Sequence, residues 1–63
     1  MNANEIKYKT IKYINGTRYM TAKQVDDLGY IMCRDLGIEA TLENRDYVCE
    51  AVQVYFNCNF QLS

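Results

Sequence analysis

Histidine is missing from this chain, and no hydrophobic run escapes interruption by Lys, Arg, Asp or Glu for the roughly 20 residues that a membrane-spanning helix needs. Without an imidazole, metal-free acid–base catalysis near neutral pH loses its usual titrating group, and a mixed Cys/His metal site is excluded. No Gly-rich phosphate loop, G-x-S-x-G elbow or Cys–His arrangement occurs. Asp26 and Asp27 are the only adjacent carboxylates. Consecutive helical residues do not face each other, so this pair cannot easily clasp one ion or share one proton. It reads instead as two solvated acids of a first helical turn, favoured there by the helix dipole. The expectation is a chain that is not an enzyme, with no catalytic residues, metal or cofactor.

Cysteine is also sparse. Cys33, Cys49 and Cys58 are odd in number and form no CxxC or other close pair, which argues against a disulfide framework or zinc knuckle and for buried, inert thiols. The N-terminal Met1-Asn2-Ala3-Asn4-Glu5 lacks the basic start and apolar core of a signal peptide. A cytoplasmic protein with no membrane association is expected.

The 63 residues suit one small domain spanning 1–63. A domain of this size buries only about 60% of the surface its unfolded chain exposes, so a homodimer or a complex would add useful stability. Hydrophobic residues at 49% and charged residues at 24% are ordinary for a chain that folds. The net charge of −1 conceals a split. Residues 1–23 hold Lys7, Lys9, Lys12, Arg18 and Lys23 against Glu5, a net +4. The remainder holds Arg34 and Arg45 against Asp26, Asp27, Asp35, Glu39, Glu43, Asp46 and Glu50, a net −5. Such a division predicts a basic face and an acidic face, a statement about partners and not about fold.

Three segments carry structural signals. Residues 5–14 mix β-branched and aromatic side chains with lysines and end at Asn15-Gly16, a favoured type I′ hairpin dipeptide, with Thr17–Met20 as the returning strand. The alternation changes parity between Tyr8 and Ile11, which a bulge near Lys9-Thr10 would absorb. Thr21 and Gln24 have capping-box spacing, and a helix over about 22–36 places Ala22, Val25, Leu28, Gly29, Met32, Cys33 and Leu36 on one stripe. Lys23, Asp27, Tyr30 and Arg34 lie opposite, and Gly37 sits where a left-handed residue ends a helix. A mid-helix Gly29 costs about 1 kcal/mol relative to Ala, which close approach of the helix to the sheet would offset.

The second half satisfies two periods. Ile38, Ala40 and Leu42 alternate with polar residues, and at period 2 Val48, Val52, Val54, Phe56, Cys58, Phe60 and Leu62 share one face, with Glu50 its only charge. At helical spacing, Val48, Ala51, Val52 and Tyr55 form an apolar stripe behind a Thr41 cap. Residues 53–62 are expected as strand, and 42–51 stay open between strand and short helix. The predicted fold class is therefore α+β: a small antiparallel sheet with an N-terminal β-hairpin and one main helix packed on one face.

The basic, tyrosine-bearing arm stands out: Lys7, Tyr8, Lys9, Lys12, Tyr13, Arg18 and Tyr19. Rings that stack and cations that meet phosphates can hold single-stranded nucleic acid, while Tyr and Arg equally anchor protein interfaces. On the helix, Tyr30 is expected on the solvent face with Ile31 on its flank. Candidate partner-binding residues are thus Lys7, Lys9, Lys12, Tyr13, Arg18, Tyr19, Asp26, Asp27 and Tyr30.

Residues Met20 to Ile38 resemble the first helix of ribbon–helix–helix repressors, and Glu50 to Phe56 resemble the end of their second. The resemblance implies a dimer that pairs one strand from each protomer and reads the major groove with it. It needs an insertion of about four residues after Ile38 and places Gly16 within the reading strand. Two function classes follow. The first is a non-catalytic protein-binding module, an inhibitor or adaptor of a larger machine, by analogy with phage and mobile-element accessory proteins. The second is a small nucleic-acid-binding regulator, which a pI near 5.1 disfavours because phosphate neutralisation drives such binding.

Overall fold

Asn2 accepts a hydrogen bond from the Glu5 backbone N–H at 2.8 Å and thereby starts a helix. The computed structural model describes residues 1–57, which form α1 (Ala3–Ile14), α2 (Ala22–Leu36) and α3 (Leu42–Phe56). Among the described residues there is no strand. The chain is a three-helix bundle, and this corrects the α+β expectation.

The N-terminal hairpin is replaced by α1. Ile6, Thr10 and Ile14 recur every fourth residue and are its buried positions. The parity change between Tyr8 and Ile11 is thus helical spacing and not a bulge. Thr10 is fully buried, and its hydroxyl donates to the Ile6 carbonyl at 2.8 Å, so no polar atom is left unpaired. Asn15-Gly16 is a turn, but it ends a helix: Gly16 takes φ +91°, and the Thr17 N–H donates to the Ile14 carbonyl at 2.9 Å.

Helix α2 matches the expected 22–36. The Thr21 hydroxyl accepts from the Gln24 N–H at 3.1 Å while the Gln24 side chain accepts from the Thr21 N–H at 2.8 Å, closing the capping box. Gly37 ends it at φ +70°. Val25, Leu28, Gly29, Met32 and Cys33 are buried. Asp26 and Asp27 lie beyond the first turn, which contains no acid, so the dipole argument does not apply to them.

Helix α3 overturns the remaining strand expectations. Residues 38–41 form its lead-in, Thr41 caps it by accepting from the Asn44 N–H at 3.1 Å, and it continues through 53–56 to Asn57, whose φ of 52° is left-handed. Residues 58–62 of the expected strand lie outside the described residues. Helix α3 packs against both α1 and α2, which meet each other only slightly. Its buried Val48, Cys49, Ala51 and Val52, together with half-buried Tyr55 and Phe56, spread over about 160° of the helix circumference, wider than one neighbour needs. The core joins Ile6 and Ile14 of α1, Val25, Leu28 and Met32 of α2, and Val48, Cys49 and Val52 of α3. Fully burying one such aliphatic side chain contributes about 1.5–3 kcal/mol.

Candidate functional site

Helix α3 runs about one turn past its last core residue, Val52, and a loop that returns over this end can cover it. Here the 15–20 segment does so, tied by the Gly16 N–H, which donates to the Tyr55 hydroxyl at 2.8 Å. The segment does not seal the surface. Arg18, Tyr19 and Met20 of this loop, Ala22 and Val25 of α2, and Val52 and Phe56 of α3 line a cleft of about 380 Å³. Val25 and Val52 form its floor as core residues, Met20 and Phe56 are half-buried, and Tyr19 at the rim is 75% exposed. Phe56 is oriented by an edge-on contact with Tyr55, ring centroids 5.0 Å apart.

The cleft is apolar inside and cationic at its edge. Arg18 is exposed and makes no hydrogen bond or ion pair among the described residues, and no lining residue carries a carboxylate. Ala22 is the first residue of α2, so the positive end of that helix dipole also lies at the cleft.

The other sequence-selected residues divide. Lys9, Lys12 and Tyr13 are exposed on α1 with Tyr8; Tyr8 and Lys12 lie on the side away from Ile6, Thr10 and Ile14, Tyr13 flanks that buried row, and neither lysine is ion-paired among the described residues. Tyr8 and Tyr13 are 66% and 57% exposed, but five residues apart on a helix they point in different directions. The flat stacking platform that a hairpin would have offered is therefore absent. Lys7 turns inward, pairing with Glu50 of α3 at 3.0 Å with its Nζ 5.8 Å from the Tyr47 ring centre. Asp27 pairs with Lys23 at 2.8 Å, a bond that holds the lysine ammonium above its ordinary pKa, and Asp26 is half-buried. Tyr30 is 51% exposed, although the Arg45 guanidinium lies over its ring at 4.6 Å.

Sequence reasoning placed Arg18 and Tyr19 in the candidate site but missed Met20, Val25, Val52 and Phe56. Phe56 was assigned to a strand and Val52 fitted both periods, and the helical spacing Val52, Phe56 was the signal that joins them. Cys33 and Cys49 are buried free thiols, while Cys58 lies outside the described residues. Among the described residues, no three Cys, Asp or Glu side chains gather as a metal site, and no helix is long and apolar enough to cross a membrane. The strand that the ribbon–helix–helix resemblance requires is occupied by the 15–21 loop, which corrects that comparison. No protein-family model, curated protein or solved structure matches the chain.

Proposed function

We propose that this chain is a non-catalytic protein-binding module that acts by occupying a surface of a larger partner. The apolar cleft between the 18–20 loop, α2 and α3 is the observation that supports it. Its aliphatic walls, Met20, Ala22, Val25 and Val52, suit the side chain of a protein partner; a nucleic acid offers planar bases, for which stacked aromatic rings are the usual platform. Tyr19 and Arg18 at the rim are residue types enriched in protein interfaces.

The test is capture from cell extract by the tagged full chain, with and without nuclease and across a salt series. A discrete protein that survives nuclease treatment, and that is lost with Ala22→Trp, supports the module reading. Recovery of nucleic acid, abolished by nuclease and weakened by replacing Lys9, Lys12 and Arg18 with Ala, would replace it with a nucleic-acid regulator acting through α1. Charge reversal at Asp26 and Asp27 measures the acidic side of α2: unchanged capture removes that side from the interface.

A further inference from the structure

Resting on the protein-binding reading, we infer that the cleft receives an apolar anchor side chain from a partner segment that carries carboxylates next to that anchor. The shape argument is one of volume and wall chemistry. Small-ligand sites run from about 300 Å³ upward, and at about 380 Å³ this cleft has room for an apolar side chain. Val25 and Val52, which form the floor, belong to the close-packed core.

The charge argument names the partner. Among the described residues that line the cleft, Arg18 is the one charged side chain and no carboxylate is present: its guanidinium is exposed and unpaired among the described residues, and the N-terminal end of α2 opens there at Ala22. Thr21 and Gln24 satisfy one another's N–H groups, so the helix end contributes its dipole and not a dedicated anion cradle. An anchor flanked by Asp or Glu therefore gains Arg18 as a planar, multi-donor partner at the moment it enters the cleft. A basic segment would bring like charges together and be rejected. Tyr19, exposed at the rim, can lay its ring along the anchor while keeping its hydroxyl in water.

The experiment pans a random 12-residue peptide library on the full chain, then measures the best synthetic peptide by fluorescence anisotropy and by amide shifts of the isotope-labelled protein. The expected winners place Leu, Ile, Met or Phe within two residues of Asp or Glu, and their shifts centre on Met20, Val25 and Phe56. Arg18→Glu should weaken that peptide about tenfold. Ala22→Trp, at an exposed first helical position, should fill the cleft and abolish binding without lowering the melting temperature. Winners rich in Lys or Arg, binding that survives Ala22→Trp, or shifts centred on Tyr8 and Tyr13 would each overturn the assignment while leaving a protein-binding module standing. Self-association of the wild-type chain that Ala22→Trp abolishes would make a second copy the occupant and overturn it too. No enriched peptide, with salt-sensitive retention of a thymidine oligonucleotide, would overturn both this inference and the reading it rests on.

Discussion

The Gly16 N–H donates to the Tyr55 hydroxyl at 2.8 Å, across 39 positions of sequence. It is the hydrogen bond that ties the loop after α1 to α3, and the same loop supplies Arg18, Tyr19 and Met20 to the cleft. Tyr55→Phe keeps the ring contact with Phe56 and removes only the acceptor. Because the Gly16 amide is exposed, water replaces the lost partner, and the expected cost is at the low end of about 0.5–1.5 kcal/mol. Hydrogen exchange at Gly16 should accelerate, and cleft binding should weaken more than global stability falls. Unchanged exchange at Gly16 would show that other contacts hold the loop.

A second relationship sets how closely α2 approaches α3. A β-carbon at Gly29 would sit 3.1 Å from the Arg45 Cγ and 3.2 Å from its Cβ, while Arg45 is held at its other end by the Tyr30 ring and by its Nε, which donates to the Ala40 carbonyl at 3.1 Å. The flexibility cost of Gly29 is thus offset by close approach to a helix, where a sheet was expected. Gly29→Val has to push the helices apart or displace Arg45, and should destabilise the protein by about 1–3 kcal/mol. Gly29→Ala gains helix propensity of about 1 kcal/mol, and that gain offsets its tight contact. A denaturant series that ranks Val well below Ala supports this packing; equal stabilities would contradict it.

Helix α2 could be read directly, because the Thr21–Gln24 box, a one-sided stripe and Gly37 all agree. Helix α1 was hidden by Ile, Tyr and Thr, whose strand propensity is overridden by packing Ile6, Thr10 and Ile14 on α3. Helix α3 was hidden for the opposite reason: lying between two neighbours, it buries a broad arc, and a broad arc satisfies alternation over short windows as well as it satisfies helical spacing. Asn15-Gly16 supports a hairpin or a helix stop equally, so the turn alone could not decide. Arg18 and Tyr19 were recognisable by residue type. The cleft floor was not, because pairing Val25 with Val52 requires knowing that α2 and α3 are adjacent.

Thr21 offers a local test of the cleft's edge. Its hydroxyl and the Gln24 side chain complete the capping box immediately before Ala22. Thr21→Ala should cost about 1 kcal/mol, and Gln24→Ala less, because only the threonine caps an N–H inside the helix. In a domain of this size a 1 kcal/mol loss lowers the melting temperature by about 4–8 °C. A shift below a degree for Thr21→Ala would mean that tertiary contacts, not the cap, fix the start of α2.

Cys33 and Cys49 give the fold a dependence on alkaline pH whose sign can be worked out. Burial pushes both thiols up from their ordinary 9.0, with Arg45 pulling Cys33 partly back and the Gln53 hydrogen bond pulling Cys49 partly back, while Asp46, Glu50 and Asp26 add to the rise at Cys49. Each thiol is thus held as the neutral form when folded. Below the ordinary value folded and unfolded chains bind the same thiol protons, and the stabilisation is fully present. As pH climbs past it the unfolded thiols ionise first, so stability is lost progressively until the folded pKa is passed. The Tyr47 phenol, raised chiefly by donating to Glu43 at 2.7 Å, adds a loss of the same sign at higher pH. Urea unfolding midpoints should therefore be level at neutral pH and fall above about pH 9, and replacing Cys33 and Cys49 with Ala should flatten the first part of that fall. Iodoacetamide near pH 8 should leave both unmodified in the native chain and label them once urea unfolds it, as read by peptide mapping. Native labelling at either position would show that its burial is transient, and the alkaline loss of stability should then shrink with it.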